Sequence, residues 1–323
     1  MSASHSKEPQ SEQPTIRAFA PATVSNVGCG FDALGFAVER PGDTVEAWER
    51  PEPGIEIVEI TGDGGRLPRE ASRNTAGVAV AELLRAAGCS RGVALSVHKG
   101  LPLGSGLGSS AASGVAALVA VDQLFGLGAS RDELLRCAME AERIACGSAH
   151  PDNAAPSIWG GLVLIRRDAT PEVLDLPVPE GLACAVVTPH VEVPTREARE
   201  LLGTTVALGD AVRQWANLGS LVAALYRGDL ELLSRCLVDH VAEPKRAVLV
   251  PGLRSAQTAA RDQGALGAGL SGSGPSIFAL TRSLEDAERT ADAMVAAIAA
   301  AGHGADRLAS VVGTSGARVV DLD

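Results

Sequence analysis

Three glycine-rich segments punctuate the 323-residue chain: Ser25-Asn-Val-Gly-Cys-Gly-Phe-Asp32, Pro102-Leu-Gly-Ser-Gly-Leu-Gly-Ser-Ser-Ala111 and Gly269-Leu-Ser-Gly-Ser-Gly-Pro275. One such segment needs to be no more than a turn. Three together ask for several places where backbone approaches a ligand closely. The middle segment constrains the chain most. It follows a β-like run ending at His98 or Lys99 and opens an alanine-rich helical stretch, so Gly104, Gly106 and Gly108 free the backbone where a strand becomes a helix. In this loop Pro102, Leu103, Gly104, Ser105, Gly106, Leu107, Gly108, Ser109 and Ser110 can wrap a phosphate chain with inward-turned N–H groups. The helix N-terminus adds its partial positive charge. The alternative is a strand-to-helix connection whose glycines serve tight packing. Against it stands the Ser109-Ser110 doublet, since two hydroxyls at a helix start can serve as cap and metal ligand together. The Walker pattern is absent, and the dinucleotide fingerprint is poor because the acid at the expected distance, Asp122, lies within a helical stretch.

Ser130 and Glu133 form a capping box, so a helix is predicted to begin at Arg131. Along it Leu134, Leu135, Ala138, Ala141 and Ala145 share one face, and Glu142 falls on that same face. A lone carboxylate on an apolar face is costly unless something positive compensates it. A buried arginine would do so, and so would a divalent cation brought by a nucleotide. With a phosphate-type loop upstream, Mg²⁺ held by Glu142 and Ser110 is the expected compensator.

Elsewhere β-like runs occupy 17–24, 44–48, 55–60, 94–98, 162–166, 184–188, 276–280 and 318–322. Helical patterns cover 75–87, 110–125, 131–146, 208–226, 230–240, 253–263 and 284–301. This uneven alternation favours an α+β fold over a regular doubly wound sheet. The polar stretch 167–181 carries Pro171, Pro177 and Pro179, which are expected to interrupt any regular element and to mark a boundary. The chain accordingly divides into a disordered lead-in at 1–15, an N-terminal unit at 16–170 and a C-terminal unit at 171–323. A net charge of -11 argues against general affinity for nucleic acid. No apolar run is long enough to span a bilayer, and the opening residues lack the apolar core of a secretory signal, so a cytoplasmic protein is expected. The six scattered cysteines show no metal-ligand spacing and read as free thiols.

The three glycine segments, in this order, resemble the motifs of the GHMP kinases, and the resemblance runs from about Ile16 to the C-terminus. The first motif, Ala20-Pro-Ala-Thr-Val-Ser-Asn-Val-Gly-Cys-Gly-Phe-Asp-Ala-Leu-Gly35, is similar to the homoserine kinase version of that family. So are His150-Pro-Asp-Asn153, Thr195-Arg-Glu-Ala-Arg199 and Lys245-Arg246. Two departures stand out: Cys29 replaces a usual Pro, and Pro151 a usual Ala. The resemblance implies two domains, one like ribosomal protein S5 domain 2 and one ferredoxin-like, with ATP, Mg²⁺ and L-homoserine bound between them. It also implies a homodimer. By family position Asp32 and Asn26 serve the substrate's amino and hydroxyl region, Arg199 and Arg246 its carboxylate, and His150 and Asn153 complete the pocket. Thr195 and Asn26 orient the hydroxyl, while Asn74 and Lys99 reach the nucleotide.

Taken singly, each residue has a plainer role: Asp32 caps a turn, Arg199 is solvated, His150 is structural. Two other functions also stay open. One is a GHMP kinase acting on threonine or a mevalonate-type substrate, although mevalonate has no ammonium for Asp32. The other is a non-catalytic ATP-binding sensor on the same fold.

Overall fold

The computed structural model describes residues 14–146, 151–168 and 171–321. The first sheet contains β1 (Thr15–Ser25), β2 (Leu34–Arg50), β3 (Ile55–Thr61), β4 (Gly92–His98), β5 (Leu162–Arg166), β6 (Glu172–Leu176) and β11 (Arg318–Val320). It runs in the order β11-β1-β2-β4-β3, with β5 on the start of β2 and β6 on β5. Among the described residues only β3 and β4 pair in parallel. The second sheet contains β7 (Ala183–Pro189), β8 (Gly267–Leu270), β9 (Ile277–Thr281) and β10 (Ala305–Val311) in the order β10-β7-β9-β8. In chain order that is fourth, first, third, second, and every pairing is antiparallel, as in a ferredoxin-like unit.

Three helices pack on the first sheet, α1 (Thr75–Ala86), α2 (Ser109–Phe125) and α4 (Pro151–Trp159), and α3 (Arg131–Cys146) packs on all three of them. The remaining helices are α5 (Thr195–Glu200), α6 (Leu208–Arg227), α7 (Leu230–Cys236), α8 (Glu243–Arg246), α9 (Leu253–Asp262) and α10 (Leu284–Ala300). Of these, α9 and α10 pack on each other and on the second sheet. Among the described residues no helix is long and apolar enough to cross a membrane.

Small side chains explain how α2 can lie deep in the molecule. Ala111, Ala112, Gly114, Ala116, Ala117 and Ala120 are buried along it, so β1, β2 and α1 approach from several sides. The capping box at the start of α3 forms as expected, with Glu133 N donating to Ser130 Oγ at 3.3 Å and Ser130 N to Glu133 Oε2 at 2.8 Å. Asn74 caps α1 through a bond from Ala76 N at 3.0 Å.

Two sequence expectations are corrected. The proline-bearing stretch does hold a regular element, since β6 fits between Pro171 and Pro177 and pairs with β5 through Leu162 to Leu176. Pro punctuates a strand's ends without disrupting its interior ladder. The helix expected over 230–240 stops at Cys236. Asp239 takes over there, accepting from Val241 N, Ala242 N and Glu243 N at 2.7, 3.0 and 2.8 Å and winding the next turn around its carboxylate. The residues of α4, α5, β8 and β10 had given no periodic signal, being short or polar.

The three glycine segments meet. Gly106 has φ +78°, and a Cβ there would stand 2.6 Å from Gly274 O and 2.7 Å from Ser271 O. Ser271 Oγ donates to Gly106 O at 2.7 Å, Ser276 N to Ser105 O at 3.1 Å, and Gly272 N to Ser25 O at 3.1 Å. Both blocking atoms at Gly106 are backbone, which cannot rotate away. Gly88 also has positive φ (+61°) but open space where its Cβ would be. Gly88→Ala is therefore expected to cost about 1–2 kcal/mol, the left-handed penalty alone. Gly106→Ala is expected to cost at least about 2 kcal/mol more, as overpacking against backbone. Urea unfolding midpoints of the two variants measure the difference, and equal losses would deny the interlock.

Candidate active site

A cleft of about 400 Å³ lies along the meeting of the three segments. Its lining brings together Asn26, Asp32, Asn74, Lys99, Leu103, Gly104, Ser105, Gly106, Gly108, Ser109, Ser110, Glu142, Asn153, Thr195, Arg199 and Arg246. Of the residues singled out in the sequence, Pro102 and Leu107 lie off that lining, and the Leu107 side chain is part of the hydrophobic core. His150 falls outside the described residues, as does the Ala145 side chain.

The phosphate-type loop has the backbone that such a loop needs. Gly104, Gly106 and Gly108 take φ of +68°, +78° and +70°, and Gly108 leads directly into α2. A left-handed residue at each alternate position turns successive N–H groups to the same side. Ser105 Oγ is buried and has no partner among the described residues. The same is true of Ser25 Oγ and of Asp152 Oδ1, and all three residues line this cleft. Buried polar atoms are seldom left unpaired, so three orphans in one cleft point to a polar ligand.

Beneath the loop sits a buried ion pair. Lys99 Nζ bonds Asp43 Oδ2, Ser109 O at 2.7 Å and Ser113 Oγ at 2.8 Å. Asp43 Oδ1 accepts from Gly100 N at 3.0 Å and Leu101 N at 3.2 Å. Desolvation holds the Lys99 pKa below its ordinary value, and Asp43 opposes the shift. Lys99 thus spends its three hydrogens on the protein and fixes the first turn of α2. Asn74, the other residue expected at the nucleotide, caps α1 and donates Nδ2 to Pro68 O at 2.9 Å.

At the rim of α2, Ser110 Oγ donates to Glu142 Oε1 at 2.5 Å. On α3, Leu134, Leu135, Ala138 and Ala141 are buried as predicted, whereas Glu142 is half-buried at the edge of that face. A hydroxyl and a carboxylate this close, beside the glycine loop, are a hard-oxygen donor pair of the kind magnesium takes. Among the described residues no group of three or more His, Cys, Asp or Glu forms a self-sufficient metal cage. The donor pair therefore fits a cation whose other ligands are phosphate and water.

The far end of the cleft holds charges of both signs. Asp32, with φ +56°, accepts from Arg199 Nη1 at 2.8 Å and Nη2 at 2.9 Å, and from Arg167 Nη1 at 3.2 Å. Asn26 (φ +73°) braces this loop: its Oδ1 accepts from Asp32 N at 3.1 Å, and its Nδ2 donates to Gly272 O at 2.8 Å. Non-glycine residues held left-handed at a site are strain maintained by such bracing. Arg246 is 2 % exposed and donates Nη1 to Gly272 O at 2.9 Å and Nε to Ala198 O at 3.2 Å, both neutral acceptors. Burial, and then Arg199, press its pKa below the usual guanidinium value. Arg199 and Arg246 also stand over one ring, that of Phe31, at 5.2 and 5.3 Å. Thr195 lies exposed at the start of α5, and Asn153 Oδ1 accepts from Thr23 Oγ1 at 3.0 Å.

Sequence reasoning missed Asp152 and Phe31. Asp152 is 4 % exposed, and burial, reinforced by Asp32, raises its carboxyl to about 6. It stands inside the quoted His-Pro-Asp-Asn turn, but no periodicity could say that it faces the cleft. Phe31 sat in the first glycine motif among smaller neighbours, and only the stacking of both arginines reveals its use.

Comparison with known proteins places this geometry. The chain matches "GHMP kinases N terminal domain" over residues 74–161 and "GHMP kinases C terminal" over residues 221–300. It is 48% identical over 290 residues to the homoserine kinase of Chlorobium phaeobacteroides, covering 87% of this chain and 91% of that protein. The homoserine kinase of Xylella fastidiosa is 41% identical over 304 residues, covering 94% of each. The crystal structure of the homoserine kinase from Cytophaga hutchinsonii superposes with a TM-score of 0.92 at 47% identity, over 98% of this chain and 100% of that one. The mevalonate kinase of L. major shares the fold alone, at a TM-score of 0.69 and 19% identity. Interlocked glycine segments, a helix-initiating glycine loop and a doubly charged cleft end thus coincide with near-complete alignment to one branch, and the chain belongs to the GHMP kinase family, among its homoserine kinases.

Proposed function

We propose that this chain, an ATP-dependent kinase, transfers the γ-phosphoryl group of ATP to the side-chain hydroxyl of L-homoserine. The observation that carries this reading is the cleft's polarity: an anion-binding loop at one end, and paired carboxylates and guanidinium groups at the other. The N–H groups of residues 103–110 and the start of α2 hold the phosphates. Arg246, with Arg199, receives the substrate carboxylate in planar, bidentate fashion. Asp32 and Asp152 balance the ammonium, and Asn26 and Thr195 orient the hydroxyl. Holding that hydroxyl in line is the larger part of the chemistry, because phosphoryl transfer depends on positioning and charge neutralisation. Ser110 and Glu142 are the residues that would hold Mg²⁺, which supplies charge neutralisation at the β- and γ-phosphates when bound. Lys99 acts one step back, by fixing the loop from beneath. Homodimer formation and cytoplasmic residence complete the proposal.

ADP release measured with and without L-homoserine tests the function, with threonine and mevalonate as competing acceptors. Homoserine-dependent release with formation of a phosphate ester is expected, and release that ignores homoserine would overturn the proposal. In the same assay Arg246→Ala is expected to raise KM for homoserine roughly tenfold or more, the scale of a lost charged hydrogen bond. KM for ATP should stay near its original value. Equal rises in both would indicate a folding defect.

Asp152 yields a prediction with two readouts. Its carboxyl titrates at about 6 in the fold against 3.8 when solvated, so the folded state binds the extra proton between those values. Stability therefore falls as pH rises from about 4 to 6, and the penalty is fully present above that window. Asp152→Asn is expected to raise the unfolding free energy at neutral pH by up to about 3 kcal/mol, with no gain at pH values below about 4. Turnover of homoserine should drop sharply in the same variant. A variant destabilised at neutral pH would show that the carboxylate is a structural anchor.

Glu142→Gln separates metal binding from a structural ion pair. Turnover at saturating Mg²⁺ is expected to fall about a hundredfold, the scale of one lost transition-state contact. Melting without nucleotide should be unchanged or slightly higher. Lower melting with an unaltered Mg²⁺ dependence would remove Glu142 from the metal.

A further inference from the structure

The two signs of charge at the far end of the cleft stand on different elements. Asp32 belongs to the loop between β1 and β2, which closes on itself through Asn26 N to Leu34 O and Leu34 N to Gly30 O, both at 2.8 Å. Arg246 ends α8, whose first turn is wound around the Asp239 carboxylate. Inside the cleft the two elements share the Gly272 carbonyl, reached by Asn26 Nδ2 and Arg246 Nη1, and Arg246 stands over the Phe31 ring. Those contacts join the ends of side chains and leave the spacing of the two backbones to something else.

One side chain outside the cleft spans from backbone to backbone. Gln214, half-buried on α6, donates Nε2 to Cys29 O at 3.0 Å and to Asp239 Oδ1 at 3.1 Å, and its Oε1 accepts from His240 N at 2.8 Å. A primary amide has two donor hydrogens and one acceptor oxygen, and here both hydrogens and the oxygen are engaged. Turning the amide over would set its oxygen against a carbonyl and a carboxylate, so one orientation fits. The first bond grips the Asp32 loop, and the other two grip the turn that leads into α8. Beside this bridge the loop lies on the turn at Gly28, where a Cβ would stand 3.1 Å from Leu237 C. Next to that contact a cavity of about 10 Å³ is lined by Asn26, Gly28, Asp239, Ala242 and Arg246 among others. A space of that size holds one water at most, and it is room into which α8 can shift when the bridge is lost.

We propose that Gln214 is a positioning residue for the substrate: it sets the distance between Asp32 and Arg246, and so selects an acceptor whose ammonium and carboxylate share one carbon over an acceptor in which they stand further apart. The inference rests on the proposed function, in which Asp32 faces the ammonium and Arg246 the carboxylate. A group that binds one charge can follow its ligand through a small displacement. Two charges fixed to one carbon cannot both be followed, so an error in the spacing is felt as lost binding and lost orientation. Gln214 touches no reacting atom and acts wholly through the two elements that it joins.

The test compares L-homoserine with 3-amino-5-hydroxypentanoate, which keeps the spacing of amine and hydroxyl and moves the carboxylate one methylene away. Gln214→Met fills a similar volume without the three hydrogen bonds. KM for homoserine is expected to rise roughly tenfold, the scale of lost buried hydrogen bonds, with KM for ATP near its wild-type value. The inhibition constant of the longer homologue against homoserine should stay nearly unchanged, so the preference for homoserine falls by about the same factor. Gln214→Glu keeps the length and the acceptor for His240 N but has neither donor, and it should repeat this pattern. Asn217→Ala is the control. Asn217 donates Nδ2 to Val238 O at 3.3 Å, so among the described residues it ties α6 to the same turn but not to the Asp32 loop. Both constants should stay at wild-type values in that variant. A folded Gln214 variant with unchanged preference overturns the proposal, as do equal rises in KM for homoserine and ATP. So does an Asn217→Ala variant that loses as much preference as Gln214→Met, or failure of both Gln214 variants to fold, which would make the amide an anchor of the fold. A wild-type chain indifferent to homoserine is a different result, and it overturns the proposed function itself.

Discussion

The approach of Gly106 to the carbonyl oxygens of Ser271 and Gly274 sets the geometry on which the cleft depends. It brings a loop that follows β4 against a loop that joins β8 to β9, and so joins two sheets that share no hydrogen-bonded strand. Around that contact the polar bonds of the site are short-range consequences. Ser271 reaches Gly106, Ser276 reaches Ser105, and Asn26 and Arg246 both converge on the single carbonyl of Gly272. A side chain at Gly106 would wedge the loops apart and separate the anion end of the cleft from its charged end. Absence of a Cβ is here a constraint on the whole cleft, not merely a local freedom.

The second constraint is electrostatic and lies underneath. A buried ion pair is a poor source of net stability, because desolvating both charges offsets most of their attraction. The Lys99–Asp43 pair is satisfied on every side: backbone N–H groups on one carboxylate oxygen, and Ser113 and the Ser109 carbonyl beside the ammonium. What such a network supplies is definition, since each partner has one geometry that satisfies it. It fixes where α2 begins, and on the proposed function the position of that N-terminus decides where a phosphate is held. Loop and helix start are thus held from two directions, by backbone contact above and by charge below.

Much of this was legible in the sequence, and the reasons differ by element. Long helices such as α3 and α10 announce themselves through their period, α3 also through its cap, and glycine spacing marked Gly104, Gly106 and Gly108 as places where the backbone is free, each of which turns left-handed. The strand Glu172–Leu176 was hidden because prolines at its ends read as breakers. Lys99 was legible as a charge beside the nucleotide loop but not as an inward-facing one, because the sequence does not show that Asp43, 56 positions earlier, lies across the sheet. Asp152 and Phe31 depend on the same long-range information. Asp32 and Arg199, assigned to opposite ends of a substrate, are found bonded to each other across 167 positions of chain.

On the proposed function, that last contact has a consequence for selectivity. With its own charges matched, the cleft end behaves as a closed salt rather than as an anion trap or a cation trap. Admitting a ligand is then an exchange of partners, in which one internal pair opens and two new ones form. A zwitterion of the right span completes the exchange, leaving every charge matched before and after. A simple amine or a simple carboxylate opens the pair and strands one member in a poorly hydrated wall, and its affinity is reduced by the cost of that orphan. On the proposed function, the lock would therefore read the separation between two charges, a quantity that neither charge alone conveys.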